Sequence, residues 1–180
     1  MLVANHKSFR PNLVKLFEKL QLPVLEDWNA FQPTLENLIL LHKKFLFTFP
    51  FENLNLHLKE MRVTDDNGSR VDIHPTVVEK KLLENHRGGY CFEVNQYLHY
   101  VLRTLGYHVT PITARVVWMA PPDKQAFRSH VINLVTFAPT EEKPIFNQYI
   151  CDVSFGSPSF VAPLCVHETM LGISQPILLL

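Results

Sequence analysis

Along the first hundred residues, apolar side chains recur three or four positions apart; beyond them they crowd together or alternate. Leu13, Leu16, Phe17 and Leu20 follow Pro11, a residue suited to a first helical turn, and Pro23 stops the pattern. Leu35, Leu38, Ile39 and His42 repeat the rhythm after Pro33-Thr34. The aromatic run from Phe45 to Leu54, broken by Pro50, reads as more extended. Asp65-Asp66-Asn67-Gly68-Ser69 is a turn cluster. Val78, Leu82 and Leu83 predict a helix opened by Pro75-Thr76 and closed before Gly88-Gly89. The clearest helix begins at Cys91: Val94, Leu98, Val101, Leu102 and Leu105 share one face, and Gly106 stands where a cap belongs.

After Gly106 the period changes. Tyr107 to Met119 is rich in valine, threonine and isoleucine and predicts one or two strands interrupted at Pro111. Ala120 to Arg128 reads as a loop, His130 to Phe137 as a strand, and Glu141 to Pro144 as a second loop. Phe146 to Val153 is a further strand pattern, closed by Ser154-Phe155-Gly156-Ser157-Pro158. The expected class is α+β: a helical half over residues 1–106, then an antiparallel β half over 107–180.

Composition narrows the chemistry. The 180 residues are 47% hydrophobic and 19% charged, the balance of a globular chain. Basic and acidic side chains number 17 each, so no global field favours nucleic acid or an anionic membrane. The three cysteines, Cys91, Cys151 and Cys165, have no C-x-x-C spacing, which argues against a disulfide framework or a cysteine-rich zinc site. A reducing, cytoplasmic setting is expected, and no metal. Met1 to Arg10 has no signal-peptide core, and no apolar run reaches the roughly 20 residues of a membrane span.

One constellation suggests acyl transfer. Cys91 opens a helix, where unpaired N–H groups favour a thiolate, and Arg87 is a cation close by in sequence. Gly88-Gly89 allows a tight turn, a close approach to substrate, and N–H groups for an oxyanion. A small buried hydrophobe at a helix start is the plainer alternative. His130 begins the apolar strand Val131-Ile132-Asn133-Leu134-Val135 and is the preferred base, against an edge histidine facing water. Asp152, within Tyr149-Ile150-Cys151-Asp152-Val153, costs free energy to bury unless paired, and a histidine would pair it. An Asx turn before Ser154 is the alternative there.

These residues lie in motifs that resemble the arylamine N-acetyltransferase family. Arg87-Gly88-Gly89-Tyr90-Cys91-Phe92-Glu93-Val94-Asn95 is similar to its signature R-G-G-[YW]-C-F-E-x-N. Phe49-Pro50-Phe51-Glu52-Asn53-Leu54 resembles P-F-E-N-L, Ser129-His130-Val131 the T-H position, and Asp152-Val153-Ser154-Phe155-Gly156 the D-V-G-F-G element; Ala162-Pro163-Leu164 fits a short A-P-L stretch. The resemblance implies a helical bundle, a β-barrel and an α/β lid, the first two like a papain-type cysteine protease core. It implies ping-pong acetyl transfer from acetyl-CoA to an arylamine or arylhydrazine nitrogen. Cys91 would be nucleophile, His130 base and Asp152 orienter. Phe51 and Phe155 would line the acceptor pocket, supported by Arg87, Gly88, Gly89, Glu93 and Asn95. A monomer is expected.

Three departures stand out. His86 replaces an arginine, weakening a charge network. Ser154 replaces a glycine, which would be strained at positive φ. The 137–146 loop looks longer than usual. The chain also stops shortly after the β motif and closes on apolar Leu178-Leu179-Leu180, so the lid is expected to be missing and the chain a truncated product. Two readings stay open beside the transferase: a cysteine hydrolase or transglutaminase-like enzyme, and a non-catalytic truncated relative or interaction module.

Overall fold

The computed structural model describes residues 9–57, 72–117, 127–141, 147–156 and 159–166. The turn cluster at 65–69, most of the loop at 120–128 and the apolar end lie outside them. Helix α1, Leu13–Lys19, starts where the Asn12 side chain accepts the Lys15 amide at 3.1 Å. Helix α2, Leu35–Thr48, is capped in the same way by Thr34. A short helix α3, Leu54–His57, follows. Helix α4, Pro75–Leu83, uses proline at its first turn. Helix α5, Cys91–Thr104, ends at Gly106, whose φ of 89° is the left-handed conformation a helix stop needs.

Helix α5 is the axis of the molecule. Its Val94, Leu98, Val101 and Leu102 are buried, as the apolar spacing predicts, but Tyr97, His99 and Tyr100 on other faces are buried too. The helix is enclosed because α4 packs on one side and strands β1, His108–Arg115, and β2, Arg128–Thr136, on the other. With β3, Gln148–Cys151, and β4, Leu164–Cys165, these strands form an antiparallel sheet in the order β1-β2-β3-β4. One buried cluster runs from Leu16 and Phe17 through Leu38, Phe45 and Leu98 to Val135 and Tyr149, so helices and sheet share a core.

Three expectations need correcting. Phe45 to Thr48 is helical: Phe45 continues the buried stripe of Leu38 and Leu41, and the chain turns extended only at Phe49. Pro111 does not split its strand. It sits inside β1 opposite Asn133, and β1 is an edge strand, where a missing N–H can face outward. β3 ends at Cys151, so Asp152 stands one residue past the strand.

Candidate active site

The N-terminus of α5 is held by two segments far apart in sequence. The Gly89 amide donates to the Pro50 carbonyl at 3.1 Å, and the Glu52 amide donates to the Gly89 carbonyl at 3.2 Å. Phe51 and Gly89 thereby form a parallel bridge. A Cβ at residue 88 would lie 1.7 Å from the Pro50 carbonyl oxygen, and one at 89 would lie 2.7 Å from a Glu93 carboxylate oxygen. The glycines therefore admit the chain's own backbone and Glu93 at the start of α5. The Gly89 amide is also spent on Pro50, and the Tyr90 amide on Glu93 at 3.1 Å, so neither is free for an oxyanion. Cys91 is the first helical residue, and its amide has no carbonyl acceptor within the helix.

Beneath this turn lies an ionic cluster. Lys81 Nζ, on α4, donates to both Glu93 carboxylate oxygens at 2.7 and 2.8 Å and lies 2.9 Å from Glu52 Oε1. The Arg87 guanidinium donates to Glu52 at 2.8 Å and to Asn55 at 3.0 Å. Arg87 is thus an anchor for the P-F-E-N-L segment, and its hydrogen bonds lead there instead of to Cys91. The shared lysine serves its carboxylates unequally. Burial pushes Glu93 above the usual carboxylate range despite Lys81. Burial also works against ionised Glu52, but Lys81, the Leu54 amide and Arg87 together hold it below that range.

On the opposite flank neutral amides hold an Asp–His pair. His130, the third residue of β2, donates from Nε2 to Asp152 Oδ2 at 2.7 Å. Its ring lines the same cleft as the Cys91 thiol, and with Nε2 committed to Asp152, Nδ1 is the nitrogen left for a second partner. Burial lowers the His130 pKa, but the hydrogen bonds and charges of Asp152 and Cys91 outweigh it and raise the group to about 9. Asn95, one turn along α5 from Cys91, donates to Asp152 Oδ1 and to the Val131 carbonyl, both at 2.8 Å, and accepts the Val153 amide at 2.9 Å. Asn133 donates back to the Asn95 carbonyl at 2.8 Å. Asn95 is fully buried with its amide group satisfied, so it ties α5, β2 and the segment after β3 into one unit.

Ser154 is not strained, because it lies outside the positive-φ region. Its amide donates to Asp152 Oδ1 at 3.1 Å and its hydroxyl to the Gly89 carbonyl at 3.1 Å. Serine thus adds a bond that glycine cannot make. His86, in contrast, has φ of 52° and its Nδ1 meets Lys19 Nζ.

Cys91, His130, Phe51 and Phe155 open on one cleft of about 520 Å³. The Phe155 ring stands edge-on to His130, with centroids 5.1 Å apart, and Phe51 faces Gly156. Every residue proposed for the site from sequence is therefore assembled around the start of α5. Sequence reasoning missed Lys81, Asn133 and the other cleft residues Asn53, Leu56, Val116 and Ser129. Asn133 carried a signal, an amide inside an apolar strand; Lys81 carried none. Among the described residues no group of three or more His, Cys, Asp or Glu is placed to hold a metal ion, and no helix is long and apolar enough to cross a membrane.

Comparison with known proteins bears on the family and the fold. Residues 34–176 match the N-acetyltransferase family model. The chain is 37% identical over 152 residues to an arylamine N-acetyltransferase of Mycobacterium bovis, covering 82% of this chain and 47% of that protein. It is 39% identical over 140 residues to one from Escherichia coli, covering 77% and 43%. Among solved structures, the Mycobacterium marinum arylamine N-acetyltransferase in complex with CoA superposes with a TM-score of 0.69 at 31% identity, over 86% of this chain and 51% of that one. The chain thus spans about half the length of the relatives it matches. By the family match, these relatives and the shared fold, the chain belongs to the arylamine N-acetyltransferase family.

Proposed function

We propose that the site transfers an acetyl group from acetyl-CoA to the nitrogen of an aromatic amine or hydrazine, by way of an acetyl-cysteine at Cys91. The observation that carries this reading is the His130–Asp152 hydrogen bond, with His130 and Cys91 lining one aromatic cleft. A His130 raised to about 9 stays protonated at neutral pH, which favours a thiolate–imidazolium pair. The Cys91 sulfur attacks the thioester carbonyl, and the Cys91 amide, unpaired within its helix, receives the oxyanion. The bond to CoA sulfur breaks, and CoA takes the His130 proton as it leaves. In the second half, the amine nitrogen attacks the acetyl-cysteine, His130 takes the nitrogen's proton, and Cys91 departs as thiolate. Phe51 and Phe155 are the walls for a flat acceptor ring.

Asp152 holds the imidazole in the required tautomer, and Asn95 holds Asp152. Arg87, Gly88, Gly89 and Glu93 keep the start of α5 against the P-F-E-N-L segment. We read residues 1–106 as the helical unit that supplies the nucleophile and 107–180 as the β unit that supplies base and orienter. Incubation with acetyl-CoA and measurement of intact mass tests the first half-reaction. The expected result is one acetyl adduct on Cys91, absent from Cys91→Ala and His130→Asn. A cooperatively melting protein that never acquires the adduct would overturn the proposal. Adding an arylamine then separates transfer from hydrolysis: acetylated amine supports the transferase, while free acetate with unmodified amine points to a hydrolase.

A further inference from the structure

Asp152 stands where the sheet gives it no backbone support. The β2–β3 ladder ends with Asn133 opposite Cys151, so Asp152 is the first residue beyond it. Its carboxylate is held by His130, Asn95 and the Ser154 amide, but these contacts leave its own N–H unaccounted for. That N–H is accepted by His42 Nε2 at 3.4 Å, a long contact but the acceptor the amide has. His42 belongs to α2, 0% exposed, on the buried stripe with Leu38, Leu41 and Phe45. Leucine would satisfy the packing of that stripe, and an imidazole in a core is costly unless it bonds.

The direction of this bond fixes the state of the ring. To accept at Nε2, His42 must be neutral and carry its proton on Nδ1. Nδ1 has no partner of full hydrogen-bond geometry among the described residues, though the Val161 backbone lies close by. Burial favours the neutral form and lowers the group to about 4, against the pull of the Asp152 charge and nearby backbone. Neutrality matters for the pair in front. A second cation behind Asp152 would compete with His130 for the carboxylate; a neutral ring supports the backbone without competing.

We propose that His42 is a positioning residue: by accepting the Asp152 amide from the helical core, it sets the carboxylate where it meets His130. The inference rests on Cys91, His130 and Asp152 being the acyl-transfer centre.

The test reads the rate of Cys91 alkylation by iodoacetamide against pH, mapped by peptide mass, in wild type, His42→Leu, His42→Gln and His130→Asn. His42→Leu is expected to slow Cys91 about tenfold or more and to shift the pH midpoint, since misplacement well short of the ~1 Å that costs a hundredfold is enough. His42→Gln, whose side-chain oxygen accepts an amide, is expected to recover most of the rate. Wild-type rate and midpoint in His42→Leu, with His130→Asn slow, would overturn the role of His42 alone. Equal rates in wild type and His130→Asn would overturn the centre itself, and the proposal with it. If His42→Leu does not fold, nitrogen NMR of the wild-type imidazole decides: the proton on Nδ1 supports the role, and a proton on Nε2 overturns it.

Discussion

The two flanks of the α5 N-terminus solve the same problem with different chemistry. On one side, two cations and two carboxylates hold the Cys91 turn. On the other, two asparagine amides and a neutral histidine hold the Asp152–His130 pair. The ionic flank carries the greater risk, because losing one member strands a buried charge. The amide flank lies next to Cys91 and His130, where an extra charge would disturb the proposed acyl-transfer pair. Charge is kept where it holds backbone, and neutral groups where the chemistry needs a quiet electrostatic setting.

The comparison can be broken most severely at His130. His130→Asn is expected to cut the Cys91 acylation rate by about 10²–10⁴-fold, the usual worth of a positioned proton-transfer group. Stopped mass measurements of the acetyl adduct give the ratio. Next comes Lys81→Met, which leaves Glu93 and Glu52 facing each other. It should cost about 3–5 kcal/mol in a urea melt, and Glu93→Gln added to it should recover part of the loss. A melt within error of wild type would mean that the ionic cluster is not the anchor of this turn. On the amide flank, Asn95→Ala strips partners from Asp152, the Val131 carbonyl and the Val153 amide, for a loss of about 1–3 kcal/mol per stranded group.

The flanks should also separate with pH. Glu52 is held below its ordinary value, so its contribution is present above the usual carboxylate range and is lost as the solution is acidified. His130 is raised to about 9, so its contribution is complete below about 6.5 and is lost as pH rises through about 9. Thermal melts across pH should therefore fall at both ends, with Glu52→Gln blunting the acid limb and His130→Asn the alkaline one. The smallest effect is Ser154→Gly: removing one hydroxyl bond to the Gly89 carbonyl should cost about 1 kcal/mol, with acylation little changed.

Much of this was legible in the residues. The apolar face of α5, its glycine stop and the signature around Cys91 placed the proposed nucleophile, and the apolar run of β2 placed His130. What failed was local inference where tertiary context decides. Proline at 111 looks like a break until β1 is known to be an edge. Phe45 to Thr48 looks extended until Phe45 is seen filling the helical core. Lys81 resembles any solvated lysine in an amphipathic helix, and only the fold brings two carboxylates to it. His42 reads as one more apolar-face residue, because its partner lies 110 positions away. Motifs reveal residues that share a short segment, whereas Lys81 and His42, whose partners only the fold supplies, leave no local trace.

The absent side chain at Gly88 has a kinetic consequence. The seam between Pro50 and Gly89 closes a loop of roughly 40 residues, and no local turn can form it early. The start of α5, where Cys91 sits, is therefore fixed only after a long-range closure. Opening that one seam in the folded protein would free the start of α5 and reach Asp152 through Ser154, which bonds both the Gly89 carbonyl and the Asp152 carboxylate.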